Sequence, residues 1–270
     1  MSKKGHIVVS DLRVGLRYTA VVVADAQSDR VGNSHIDESC GLAATLIHEE
    51  IGSECPVSLI QSELFTGKRI HELFSSLSLS EKLHRAIMLA TCNGVINFEV
   101  QRNFHNRESN HNQNRKGSSV ALVGKKSAIP FKGKKVGMVG FFEPLVPNIL
   151  KRASSFGIVE NHLAKHRAID QKIKRLPSLK ELEDFETVIL TATSLINNTF
   201  DEAISYCRDS YVVVMGPSAP LLPEIFKEYP QVKNISGRHI KNVDKTLEVV
   251  SQGGGTPMFK EYTDKVEILL

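Results

Sequence analysis

The chain has 270 residues, 41% hydrophobic and 24% charged, with 34 Lys and Arg against 30 Asp and Glu and a net charge of +4. Such a composition is globular; it excludes a disordered or collagen-like chain and allows one large domain or two small ones. The charge is too mild to argue for nucleic acid, and 6% aromatics with no Trp leave little to stack single-stranded bases on.

The longest apolar runs, such as residues 211–215, are strand-sized, so no membrane span is expected. Lys3 and Lys4 precede Ile7, Val8 and Val9, but Ser10 and Asp11 end that run at once, and no signal peptide is read there. The cysteines are Cys40, Cys55, Cys92 and Cys207, without a C-x-x-C or a zinc spacing. Cys92 and Cys207 sit in apolar-periodic stretches and read as buried small hydrophobes, so a reduced, cytoplasmic setting is expected.

In chain order, Val14, Leu16, Tyr18, Ala20 and Val22 alternate with smaller or more polar neighbours and predict a strand. Residues 25–29 read as a turn and 31–36 as a returning strand. Residues 41–52 read as a helix with Leu42, Leu46 and Ile47 on one face. A second helix after Gly67 carries Ile70, Leu73 and Phe74. A third starts at Ser80, a good N-cap, with Glu81 in its first turn, and carries Leu83, Ile87, Ala90 and Val95. Strands followed by helices make this part α+β.

Residues 102–119 are rich in Asn, Arg, His and Ser and read as an exposed loop. Seven basic and no acidic residues fall within 115–135, a solvated surface or an attraction for an anionic ligand. The expected division is therefore 1–110, a basic linker or inserted loop at 111–134, and 135–270. From residue 135 short apolar strands (136–142, 157–160, 187–191, 211–215, 234–236) alternate with helices (145–155, 200–207, 223–229, 244–251). That alternation predicts a parallel sheet covered on both faces, and α/β for the whole chain.

In such a sheet ligands bind outside the carboxyl ends of the strands. The candidates there are Gly140, Glu160, Thr193, Ser194, Asn197, Gly216 and Ser218, with Asn93 as the expected contact from the first domain, which would cover the crevice. Backbone amides, hydroxyls and amide groups suit an anionic or polar small molecule, although Ser, Thr and Asn also cap helices. Glu160 lies twenty positions after Gly140, where an acid would bind a ribose hydroxyl. G-x-G-x-x-G is nevertheless absent, and Phe141, Phe142 and Pro144 fill the turn, so classical NAD binding is not expected. His162 and His166, four apart, are the weak metal-ligand candidates. Gly253, Gly254 and Gly255 read as a C-cap and turn, or as a hinge folding residues 256–259 over a site.

The second half resembles the heavy-metal chelation family of unknown-function proteins. The resemblance is carried by the turn Val139-Gly140-Phe141-Phe142-Glu143-Pro144-Leu145-Val146-Pro147, by Glu160, by the run from Thr191 through Thr193, Ser194 and Asn197 to Thr199, and by Gly216-Pro217-Ser218-Ala219-Pro220. The Ser236-Gly237 pair and the glycines at 253–255 also fit. Gly15-Leu16-Arg17-Tyr18-Thr19-Ala20 and Ala90-Thr91-Cys92-Asn93 resemble the family's companion domain. The resemblance implies an enolase N-terminal-like domain, then a Rossmann-like one, and the binding of a transition metal or metal chelate, with no reaction attached. The alternative is an enzyme using a nucleotide-type cofactor in the Rossmann-like domain. A small-molecule or metal ligand is the expected partner, with no nucleic acid or membrane, and a homo-oligomer stays open.

Overall fold

The computed structural model describes residues 7–26, 38–46, 62–109, 129–160 and 171–270, with the backbone alone for 102–109. The structure is mixed α/β, with two sheets among the described residues. Its contacts divide it into two units: Met1–Ala121 with Arg238–Val266, and Leu122–Gly237 with Glu267–Leu270. Among the described residues no helix is long and apolar enough to cross a membrane.

In the first unit β1 (Ile7–Val14), β2 (Tyr18–Asp25) and β3 (Glu38–Ala44) form an antiparallel sheet in that order. Helices α1 (Ile70–Ser75) and α2 (Lys82–Ser109) follow. Two strands thus stand where one was expected at residues 14–22. They are joined by a tight turn in which the Gly15 N–H donates to the Tyr18 carbonyl at 2.9 Å. The helix expected at 41–52 is overturned over its described part, because residues 38–44 pair with β2 throughout. Five consecutive buried residues, Ser39 to Ala43, erase the alternation that would have marked a strand. The returning strand expected at 31–36 lies outside the described residues. Helix α2 runs on to Ser109, through the start of the stretch expected as a loop.

α2 packs on β3 with its backbone unusually close. A side chain at Gly41 would meet the Ala90 carbonyl oxygen at 2.0 Å and the Gly94 nitrogen at 2.1 Å. The Asn93 and Asn97 side chains donate to the Leu42 and Cys40 carbonyls at 2.9 and 3.0 Å, satisfying buried polar groups across this contact.

The second sheet contains β4 (Lys135–Val139), β5 (Ser155–Val159), β6 (Ile173–Arg175), β7 (Thr187–Thr191), β8 (Tyr211–Met215), β9 (Val232–Ile240) and β10 (Thr263–Leu269), in the order β10-β9-β8-β7-β4-β5-β6. Strands β4 to β9 pair in parallel. Strand β10 runs antiparallel to β9: the Lys241 N–H donates to the Tyr262 carbonyl and the Leu270 N–H to the Lys233 carbonyl. Helices α3 (Val146–Arg152) and α4 (Phe200–Ser205) lie between strands. The helix expected at 223–229 is a single 3-10 turn, Pro223–Phe226. Strands β6 and β10 were not anticipated. β6 has three residues, and Asp264, Lys265 and Glu267 interrupt the apolar character of β10.

The core of the second unit gathers Val136, Met138, Ile149, Phe156, Ile158, Ile189 and Val213. In the first unit Ala20, Val22, Cys40 and Leu42 pack with Ile240, Leu247, Val249, Val250 and Phe259, the latter group from β9, helix α5 (Val243–Ser251) and the turn after it. This cluster is why Arg238–Val266 groups with the first unit, whereas the expected division kept 135–270 together. Of the expected linker, residues 111–128 lie outside the described residues.

Candidate functional site

The strand register brings the carboxyl ends of β4, β5, β7 and β8 level. Val139 pairs with Val159 and Leu190, and Thr191 with Met215. Glu160, Gly140, Thr191 and Gly216 therefore end four neighbouring strands, spaced about 4.8 Å apart. Chain order reverses at this place, because β5 and β7 flank β4 on opposite sides.

Gly140 leaves β4 with φ +80°, and its N–H donates to the Val159 carbonyl at 3.0 Å. A side chain there would meet Thr191 Cβ at 3.1 Å, so the turn after β4 lies against Thr191. Gly216 leaves β8 with φ +130°, and among the described residues beyond its two chain neighbours no atom lies within 4 Å of where its side chain would be. Both positions need glycine for their backbone conformation, and Gly216 is also uncrowded by the described residues.

The run after β7 turns sharply through a 3-10 segment, Ala192–Leu195. The Thr191 hydroxyl accepts from the Thr193 N–H at 3.3 Å. The Ser194 hydroxyl, fully buried, donates to the Thr191 carbonyl at 2.6 Å. Asn197 Oδ1 accepts from the Thr199 N–H and hydroxyl at 3.2 and 2.7 Å, which closes a turn with Asn198 at φ +60°. Ser194 and Asn197 thus have the capping geometry that competed with their site reading. Thr193 is half-buried, and its hydroxyl makes no hydrogen bond among the described residues. Ser218 is buried and Glu160 half-buried, and both are engaged within the fold. Asn93 belongs to the first unit and holds the Leu42 carbonyl. Thr191 opens the run read from the sequence, and its part in the turn, accepting from the Thr193 N–H, is what the structure adds.

Soft-metal chemistry has little to work with among the described residues. No three His, Cys, Asp or Glu side chains form a group that could hold an ion. Burial pushes the Cys40 and Cys207 thiols up to about 12 and also raises Cys92, so these sulfurs keep their protons at neutral pH. The described residues therefore do not make a preformed thiolate centre. His162 and His166 lie outside the described residues.

Two family models, both described as "Putative heavy-metal chelation", match residues 1–96 and 126–268. No curated protein matches the sequence. A crystal structure of an unknown-function protein from Pyrococcus horikoshii superposes with a TM-score of 0.68 at 18% identity, covering 98% of this chain and 94% of that one. A second, from Desulfitobacterium hafniense and also of unknown function, gives 0.66 at 17% identity, covering 98% and 92%. These likenesses establish a shared fold, and the match over residues 126–268 places the chain in the family described as "Putative heavy-metal chelation".

Proposed function

We propose that the second unit binds a small polar molecule, in first place a metal already complexed by a small chelator, at the carboxyl ends of β4, β5, β7 and β8. The observation that carries this reading is the level ending of Gly140, Glu160, Thr191 and Gly216 where chain order reverses. The Thr193 hydroxyl, the Glu160 carboxylate and the open face over Gly216 are hard or neutral hydrogen-bonding groups, suited to the oxygen and nitrogen periphery of a chelate rather than to a bare soft ion. Ser194, Asn197 and Ser218 would support the site by shaping its loops. The test is elemental analysis and native mass spectrometry of untagged protein. Glu160→Gln and Thr193→Val should each cut the metal or adduct carried through purification about fivefold, near 1 kcal/mol for a lost hydrogen bond. Equal loading of both variants and the parent would refute the reading.

A second reading, a nucleotide-type cofactor in a Rossmann-like unit, is favoured by one observation. Counted along the chain from β4, the six parallel strands lie in the order 3-2-1-4-5-6, that of doubly wound dinucleotide sheets. Against it, Phe141, Phe142 and Pro144 occupy the turn and α3 has seven residues. Absorbance near 260 nm in a perchloric acid extract of the untagged protein separates the two readings.

A further inference from the structure

The Gly-Gly-Gly loop after α5 lies in the first unit, beside Arg17 and Tyr18. The Tyr18 hydroxyl and Thr256 Oγ1 share a hydrogen bond of 2.7 Å. A side chain at Gly255 would meet Arg17 Cδ and Nη1 at 3.4 Å, so the guanidinium lies along the backbone of this loop. The Tyr18 ring is held edge-on to Phe259, with centroids 5.2 Å apart. On β9, Arg238 shares a strand face with Ile240, and Ile240 packs in the cluster that includes Tyr18 and Phe259. Burial raises the Tyr18 phenol, while the Thr256 hydrogen bond and the charges of Arg17 and Arg238 oppose that rise, so both cations lie within electrostatic reach of the ring hydroxyl.

Among the described residues Arg17 and Arg238 form no ion pair and their side chains form no hydrogen bond, and Arg238 is half-buried. Asp264, which acts on Arg238 electrostatically, is paired with Lys241 at 2.9 Å. A half-buried guanidinium whose acidic neighbour is already paired with a lysine is costly, and a planar five-donor group is the side chain best matched to a carboxylate or phosphate. The loop adds the Gly255 N–H, which makes no hydrogen bond among the described residues, whereas the Gly253 and Gly254 N–H groups donate to Val250 and Val249.

We propose that Arg17, Arg238, the Tyr18–Thr256 hydroxyl pair and the Gly255 backbone form an oxyanion site in the first unit, which takes the carboxylate or phosphate group of a small molecule. Arg17 and Arg238 supply the charge. One O–H of the hydroxyl pair is spent on the other oxygen and the remaining O–H donates to the anion, and the glycine lets the anion approach the main chain. None of its residues belongs to the strand-end site of the second unit, so either can fail without the other.

The test is calorimetric titration of the full chain with inorganic phosphate and, separately, citrate in low-salt buffer at neutral pH, where exposed charges are least screened. Binding of either anion supports the proposal, and the preferred one identifies the class. Arg17→Gln and Arg238→Gln should each weaken that anion at least tenfold, and Tyr18→Phe a few-fold. Lys151→Gln, which removes the same charge from exposed α3, should bind as the parent does. Arg17 is exposed, so its variant remains decisive if Arg238→Gln fails to fold. The proposal is overturned if the parent binds neither anion at millimolar concentration. It is equally overturned if Arg17→Gln binds within twofold of the parent, or if Lys151→Gln weakens binding as much. Metal carry-over should follow Glu160 and not Arg17, which keeps this result distinct from the one above.

Discussion

At the residue scale the buried thiols and the asparagines make the sharpest claims. Cys40 and Cys207 hold their protons up to about pH 12, whereas in an unfolded chain they ionise near the ordinary value of 9.0. Between those values the unfolded state binds fewer protons than the folded one, so stability falls as pH rises through this window and is unaffected by these groups below it. Denaturant melts at about pH 8 and about pH 10.5 should show a larger loss for the parent than for a Cys40→Ala, Cys207→Ala chain. Asn197 makes a different kind of statement. Its Oδ1 accepts two bonds from Thr199, so Asn197→Asp, which keeps the acceptor, should melt near the parent. Asn197→Ala should lose about 1 kcal/mol of stability. If Asn197→Ala lowered ligand binding and left the melt unchanged, its side chain would belong to the site after all.

At the scale of elements the contact of α2 with β3 dominates the first unit. It rests on two features, the missing side chain of Gly41 and the amide bonds of Asn93 and Asn97 to the β3 backbone. Gly41→Ala would place a methyl 2.0 Å from the Ala90 carbonyl and force helix and strand apart. Overpacking of a rigid contact costs about 1–3 kcal/mol or more, which a thermal melt will register as a drop of several degrees. Asn97→Ala should cost about 1–3 kcal/mol by leaving the Cys40 carbonyl buried without its donor. These same residues explain why residues 41–46 mislead as a sequence. The apolar run suits a helix face as well as a strand buried on both sides, and only the pairing with β2 decides between them. In the second unit β4, β5, β7 and β8 are short, continuous and apolar between helical segments, and such strands could be placed in chain order from their composition alone, whereas the three-residue β6, with Lys174 and Arg175, could not.

At the scale of the whole molecule, the chain returns to its first unit after the parallel strands. Ile240, Leu247, Val249, Val250 and Phe259 complete the apolar cluster that Ala20, Val22, Cys40 and Leu42 begin. A fragment of residues 1–121 lacks those partners and should bind a hydrophobic dye and melt without cooperativity, while the full chain does neither. A cooperative, dye-silent fragment would show that the cluster is dispensable.

Composition and local pattern by themselves determined the α/β class, every parallel strand of the second half but β6, and the cluster of Gly, Thr, Ser and Asn at their carboxyl ends, because each of these is written in short-range periodicity. Which of those polar side chains closes its own turn depends on distances to residues two or three positions away, which the structure supplies: the Ser194 hydroxyl and Asn197 Oδ1 are bonded within their turns, and the Thr193 hydroxyl makes no hydrogen bond among the described residues. The approach of Arg17 and Tyr18 to Gly255 and Thr256, more than 230 positions on, was beyond any local pattern. It exists because α5 and the turn after it fold back onto β2, and a contact between distant segments is set by how their apolar faces are buried together, not by the residues beside each one.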